Sequence, residues 1–150
     1  MRTMMVLLVL SAAAPLALAE DEKAAKEKKK MAGSWALASG EVDGKAVADE
    51  HVKTSKLTID GDKRALTLPH VAKDKFTNKL KRLDPSKKPA EIDWVRDSGP
   101  AAGTTMMAIY EWVDDDTWRV CYDPSGKGRP KEFKTAGGTG YILHVWKRVK

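Results

Sequence analysis

The side chains best suited to metal binding or acid-base chemistry are three histidines and one run of aspartates. His51, His70 and His144 are far apart in the sequence and lack the close spacing, such as two histidines four residues apart on a helix, that marks known metal sites. Residues 114–116 are all aspartate, but the residues that follow do not continue the alternating ligand pattern of a calcium loop. We therefore predict no metal and no cofactor, with the histidines in packing or surface roles and the aspartates in a polar turn.

The strongest candidate nucleophile is Cys121, the only cysteine of the chain. A catalytic thiol needs a neighbouring base and cationic surroundings that favour the thiolate. The neighbours of Cys121 are instead apolar and aromatic, among them Val120 and Tyr122, which favours a buried structural residue. We expect a protein without catalytic activity. A hydrolase that uses Cys121, which could meet His144 in space, or the aspartate run is the alternative.

The first 19 residues have the pattern of a cleavable signal peptide. Arg2 is the positive end, residues 5–18 are an apolar run, and the small residues Ala17 and Ala19 precede a cleavage site before Glu20. The run is too short for the roughly 20 residues that span a bilayer, and no second stretch of spanning length follows. We expect export to a periplasm or the extracellular space without a membrane segment, which also argues against nucleic acid as a partner.

Beyond the signal, the chain divides into a charged tail and one domain. Residues 20–32 are rich in lysine and contain no aromatic or β-branched residue, which predicts a flexible tail or a short frayed helix. The net charge of +6 falls to +5 when Arg2 is removed with the signal. Residues 33–150 are long enough to bury a core without disulfides.

The texture of residues 33–150 is typical of an antiparallel sandwich or barrel. Short runs of branched and aromatic residues alternate with turn residues about every ten positions. The Asp-Gly step within residues 60–63 is the clearest hairpin signal. We predict an all-β domain of about eight strands with a short helix or irregular crossing in 44–52; the candidate strands are 34–38, 56–59, 65–68, 76–83, 92–95, 104–112, 117–122, 131–134 and 141–148.

Six short motifs in this domain occur in a familiar order and spacing. They are Gly33-Ser34-Trp35, Asp84-Pro85-Ser86-Lys87-Lys88-Pro89 with Ile92-Asp93, Ile109-Tyr110-Glu111, Cys121-Tyr122, Arg129-Pro130-Lys131-Glu132-Phe133 and Lys147-Arg148. Together they resemble the lipocalin-like domain family of uncharacterised proteins that is abundant in planctomycetes and related bacteria.

The resemblance implies an up-and-down antiparallel β-barrel. It also implies that Trp35 packs across the closed end of that barrel beneath Arg148, as a structural clasp. The stretch 68–78 is more polar than a barrel wall should be, so we expect an open or irregular wall there.

The same resemblance implies a small apolar or amphipathic ligand at the open end of a monomeric barrel. The side chains expected to meet near that rim are Tyr110, Trp112, Tyr122, Arg129 and Phe133. Two alternatives remain open. These five side chains could be purely structural, or the protein could be an interaction module whose lysine-rich segments contact an envelope polymer or a protein partner.

Overall fold

The computed structural model describes residues 14–99 and 101–150, and this part of the chain forms two helices and nine strands. The helices are α1 (Ala14–Met31) and α2 (Asp49–Thr54). The strands are β1 (Gly33–Val42), β2 (Lys45–Ala46), β3 (Lys56–Asp60), β4 (Lys63–Thr67), β5 (Phe76–Asp84), β6 (Ala90–Arg96), β7 (Thr105–Asp114), β8 (Thr117–Tyr122) and β9 (Ile142–Arg148).

Strands β1 and β3 to β9 form a closed eight-stranded antiparallel barrel in up-and-down order, which confirms the predicted architecture. Closure comes from β1, which pairs with β3 on one side and with β9 on the other, where Trp35 lies opposite Arg148. The short β2 folds back onto β1 outside this ring. Each barrel strand therefore has a partner on both sides.

The wall is complete where the polar stretch 68–78 predicts an opening. Strands β4 and β5 pair from Leu66 opposite Phe76 to Lys63 opposite Lys79. Residues 69–75 form the connection between these strands, so most of the polar side chains belong to a turn and not to the wall.

The predicted strand 131–134 is wrong. Strand β8 already pairs with β7 and β9, so no strand edge remains for this segment to join. It crosses the outer face of the barrel instead: the Phe133 ring lies 4.2 Å from the guanidinium carbon of Arg119, and the Lys134 carbonyl accepts a hydrogen bond from Cys121 Sγ at 3.7 Å. The one aromatic residue of this segment, Phe133, is explained by packing on the outside of the sheet.

Helix α1 covers the segment for which the sequence predicts a charged flexible tail or a short frayed helix. Alanine, lysine and glutamate are strong helix formers, and only the last residue of the helix, Met31, is fully buried. The predicted signal peptide falls largely on residues 1–13, outside the described residues; Leu16 and Leu18 lie in the first turns of α1 with their side chains exposed. Of the helices in the described residues, neither combines the length and apolar character needed to cross a bilayer.

Candidate functional site

One end of the barrel interior is filled by tryptophan. Trp112, Trp118 and Trp146 lie directly opposite one another on β7, β8 and β9. The Trp35 ring lies 6.0 Å from the rings of both Trp112 and Trp118, and Trp35, Trp118 and Trp146 are at most 1% exposed. We call this the tryptophan end of the barrel (Trp35, Trp112, Trp118 and Trp146). Its large rings occupy the space in which a deep apolar ligand would lie.

Arg148 packs against the Trp35 ring and covers the tryptophan end of the barrel. Its guanidinium carbon lies 4.2 Å from the centroid of the Trp35 ring, and its Nη1 and Nη2 donate to the carbonyls of Ala32 at 2.9 Å and Lys30 at 2.6 Å. Gly33 permits this approach, because its φ is +125° and a Cβ there would lie 3.2 Å from Arg148 Nη1. The stack ties the last strand to the first strand and to the end of α1, and it has no reactive group.

Tyr110 and Trp112, two of the predicted ligand residues, contact α1. The Tyr110 hydroxyl donates to Glu27 Oε1 at 3.2 Å and Trp112 Nε1 donates to the same oxygen at 2.5 Å. Burial and the adjacent Glu27 carboxylate raise the pKa of Tyr110 far above its usual range, so the phenol stays protonated. An open cleft of about 470 Å³ lies beside them, between α1 and the turn that joins β5 to β6.

Higher in the barrel the interior becomes polar and cationic. Arg64 shares the inward face of β4 with Leu66 and is 6% exposed. Directly opposite on β5, the buried amide of Asn78, in the orientation that satisfies both of its ends, accepts from Arg64 Nε and Nη2 at 3.0 Å each. The guanidinium carbon of Arg64 lies 4.3 Å from the centroid of the Trp94 ring. A buried cation is thus held by an amide and an aromatic face.

A second arginine and a tyrosine complete what we call the polar layer (Arg64, Asn78, Trp94, Arg96 and Tyr122). Arg96 lies opposite Asn78 on β6, and its guanidinium carbon is 4.3 Å from the centroid of the Phe76 ring. Burial lowers the pKa of Arg64 to about 9 and raises that of Tyr122 to about 12. Within residues 14–99 and 101–150, neither Arg64 nor Arg96 forms an ion pair.

The three histidines of the chain meet above this layer. His70 Nε2 lies 2.9 Å from His144 Nε2, and the His51 ring stacks on His70 with 6.3 Å between ring centroids. Burial lowers the pKa of His70, and burial together with His70 and Arg64 lowers the pKa of His144 well below its usual value. One neutral ring therefore donates to the other. We call this the histidine end of the barrel (His51, His70 and His144).

The spacing of the three histidines in the sequence predicts separate packing or surface roles. In the structure they lie together instead. Pairing across the closed barrel brings them together, because α2 carries His51, the turn after β4 carries His70 and β9 carries His144. In the described part of the chain, no group of three or more His, Cys, Asp or Glu side chains is arranged to hold a metal ion.

Several buried polar atoms in and next to the polar layer lack a partner. Trp94 Nε1 and Arg96 Nε of the polar layer, and His70 Nδ1 of the histidine end, have no hydrogen-bond partner among the described residues. Two further buried atoms of this kind lie elsewhere: Trp118 Nε1 at the tryptophan end, and an oxygen of Asp93 that still faces Arg129 Nη1 as an ion pair at 2.8 Å. A buried polar group without a partner costs roughly 1–3 kcal/mol, so this layer can form further hydrogen bonds.

The five predicted ligand residues do not meet at one rim. Tyr110 and Trp112 face α1 and Tyr122 belongs to the polar layer. Arg129 lies on the outer face, where it donates to the Ala108 carbonyl at 2.7 Å and pairs with Asp93, and Phe133 is outside beneath Arg119. These residues are separated because side chains alternate between the two faces along each strand, and because the segment before β9 crosses the outer face. Tyr122 is the one of the five that lies among the unpaired donors.

The candidate nucleophile and the aspartate run are also separated from the histidines. Cys121 points to the outer crossing and is fully buried, and burial raises the pKa of its thiol to about 11. Asp116 pairs with Arg148 Nε at 3.2 Å and Lys150 Nζ at 3.1 Å, while Asp114 accepts from the backbone N–H of Asp116 at 2.9 Å. These contacts describe a protonated packing thiol and a polar turn.

Comparison of the chain with protein-family models, with curated proteins and with solved structures finds no match. The fold is therefore established by the strand pairing alone. It is a closed eight-stranded antiparallel barrel with a buried aromatic cluster, an architecture consistent with a lipocalin-like fold.

Proposed function

We propose that this protein is an exported, non-catalytic binding barrel of the planctomycete-type lipocalin-like family, and that it accepts one small amphipathic ligand at the polar layer. The six sequence motifs support the family, and the signal-like N-terminus supports a periplasmic or extracellular location. Each barrel strand has neighbours on both sides, which favours a monomer.

The observation that carries this proposal is the contrast between the two ends of one interior. Packed indoles fill the tryptophan end, whereas the buried Arg64 of the polar layer forms no ion pair with a carboxylate among the described residues. A barrel selected only for stability would place apolar side chains at such a position, because a buried uncompensated charge is costly. A binding role explains why the charge is retained.

Ligand access would involve the segments that cover the histidine end. Strand β3 pairs with β1 only from Gly33 to Ala36, and α2 packs against β1 beyond that point. Val52 of α2, together with Val71 and Ala72 of the turn after β4, packs on the core. These segments are attached by side-chain packing and not by a strand ladder, so they are the parts that can move aside without opening the barrel.

A specific observation also favours the interaction module as a second candidate. Helix α1 contacts β5, and both segments carry exposed lysines. They are Lys23, Lys26 and Lys29 of α1 and Lys79 and Lys81 of β5. A basic surface of this kind suits an anionic envelope polymer. Unchanged retention on an envelope fraction after all five are replaced by glutamine would exclude it.

The indole N–H signals of the five tryptophans test the binding proposal in one titration. We would add decanol or decanoate to protein labelled with ¹⁵N at tryptophan and assign each signal by Trp→Phe substitution. The proposal predicts a saturable shift of the Trp94 signal with at least one probe. Trp118 should change little, because it lies at the tryptophan end.

Trp112 serves as an internal control, since it lines the cleft beside α1. Shifts confined to Trp112 would place the ligand in that cleft and overturn the proposed site. The absence of any shift with both probes would overturn ligand binding itself.

A further inference from the structure

We infer that the polar layer is an anion site: it binds the carboxylate, sulfate or phosphate group of the ligand through Arg64 and Arg96. This inference rests on the proposed function and adds the chemical class of the group that is recognised. It is carried by the hydrogen-bonding character of the side chains in the layer and by their charge.

The unpaired groups in this layer are almost all donors. Arginine and tryptophan nitrogens donate and never accept, and this applies to Arg96 Nε and Trp94 Nε1, both unpartnered among the described residues. Arg64 has five N–H groups, of which Asn78 accepts two. The other three form no hydrogen bond within residues 14–99 and 101–150. Donors without acceptors are complementary to a group that only accepts, as the oxygens of a carboxylate, sulfate or phosphate do.

The charge balance leads to the same ligand class. Two guanidinium groups face this part of the interior, and the pKa of Arg64 is lowered by burial but stays at about 9, so Arg64 is charged at neutral pH. His70 and His144 above it are neutral because their pKa values are lowered, and these two contribute no further positive charge. A bound anion would compensate the buried cation, whereas an alcohol or amide would leave it uncompensated.

The geometry also indicates how the anion lies. Trp94 covers one face of the Arg64 guanidinium and Asn78 takes one edge, so the remaining edge is the free one. A planar guanidinium binds carboxylate and phosphate oxygens along such an edge in a bidentate manner. The Tyr122 hydroxyl stays protonated, because burial raises its pKa to about 12, and it can therefore donate to the same group.

A matched pair of probes tests the inference. Decanoate and decanol share one chain length and differ in the head group, so calorimetric titration of both into the full-length mature protein isolates the contribution of the charge. We expect decanoate to bind at least about tenfold more tightly than decanol. Acetate and inorganic phosphate are titrated separately, and if they match decanoate the anion is recognised as a free ion and not as a head group.

The Arg64→Met variant should reduce the preference for decanoate to about twofold or less, while Arg64→Lys keeps the charge and should retain part of it. Arg119→Met is the matched control, because Arg119 lies on the outer face with Glu111 and Phe133. It should leave the preference unchanged. Arg96→Met gives a second test at the same layer if Arg64→Met does not fold, as judged by circular dichroism.

The failures of the two proposals are distinguishable. Equal affinities for decanoate and decanol, or an unchanged preference in folded Arg64→Met, would overturn the anion site while amphiphile binding at Trp94 stands. If decanoate, decanol, acetate and phosphate all fail to bind, both proposals are wrong.

Discussion

Arg64 illustrates what one residue can and cannot disclose in a sequence. Arg64 and Leu66 alternate along β4 and the core residue Leu68 follows its end at the same spacing, and this period-two pattern is the signal by which Arg64 could have been found. Its partners could not be predicted, because Asn78 and Trp94 reach it only through the registers of β4 with β5 and β5 with β6. The meeting of the three histidines depends on non-local pairing in the same way.

We predict that the free energy of unfolding falls as the pH is lowered from about 7 to about 5. The pKa of His144 is lowered by burial, by His70 and by Arg64, and the pKa of His70 is lowered by burial and by His51. Tyr122, whose ring lies 5.8 Å from that of His144, stays neutral in this range. The unfolded chain binds protons near pH 6.5 that the folded chain excludes.

Stability is therefore present above that pH and is lost below it, by up to about 1.4 kcal/mol per pH unit for each such histidine. Urea unfolding at several pH values measures the slope. Asp84 and Asp116 have pKa values below their usual range and act only at lower pH. Replacing His144 with glutamine should flatten the curve. A wild-type stability that is constant over this range would contradict the prediction.

Arg148→Ala should lower the free energy of unfolding by about 2–3 kcal/mol. The substitution removes a stack on Trp35, worth about 1 kcal/mol, and charged hydrogen bonds to the carbonyls of Ala32 and Lys30. The exposed neighbour Lys147 is the control, and Lys147→Ala should cost less than about 0.5 kcal/mol. Equal losses in the two variants, measured by urea unfolding, would mean that the stack is not a structural clasp.

At the scale of elements, local signals located most strands well and left the charged segment at 20–32 open between a flexible tail and a short helix. Alternating residues and the Asp-Gly turn predict β3, β4 and the β7–β8 hairpin within a few residues of their bounds. Residues 131–134 contain one aromatic side chain, Phe133, and tertiary packing places this segment across an outer face. The lysine-rich tail is helical up to Met31, because that residue is buried and the Arg148 side chain binds the carbonyls at the end of the helix.

Truncation should show that, of α1, only the last turn contributes substantially to the free energy of unfolding. A chain that starts at Glu27 should be within about 1 kcal/mol of the mature protein. A chain that starts at Gly33 should be less stable by about 3 kcal/mol, since it loses the buried Met31 side chain and two hydrogen-bond acceptors of Arg148. Urea unfolding measures both.

The Arg148→Ala variant provides the control for this truncation. In the chain that starts at Gly33 its effect should shrink markedly, because the two changes remove the same contacts. Fully additive losses would contradict the role assigned to the last turn of α1.

At the scale of the whole molecule, the barrel follows from the number and spacing of its strands, and closure of β1 on β9 accounts for the missing strand edges. The local strand and turn signals predict an antiparallel sandwich or barrel, and the resemblance carried by the six motifs implies the up-and-down barrel. They do not reveal the division of the interior into a tryptophan end and a polar layer, which arises from the tilt that sets strand registers around the ring.

Export makes a prediction about the mature chain. If residues 1–19 are removed as a signal peptide, protein isolated from cells should have Glu20 at its N-terminus and retain the buried Met31. Intact mass and N-terminal sequencing measure this directly. A chain that retains Leu16 and Leu18 in the isolated protein would contradict cleavage at this position.

Native mass spectrometry of the protein purified from its own envelope fraction tests the central claim most directly. The binding barrel predicts a bound small molecule with an acidic group in the wild type, and its loss in Arg64→Met but not in the outer-face control Arg119→Met. A wild-type mass equal to that of the polypeptide alone, or an adduct that persists in Arg64→Met, would contradict the account.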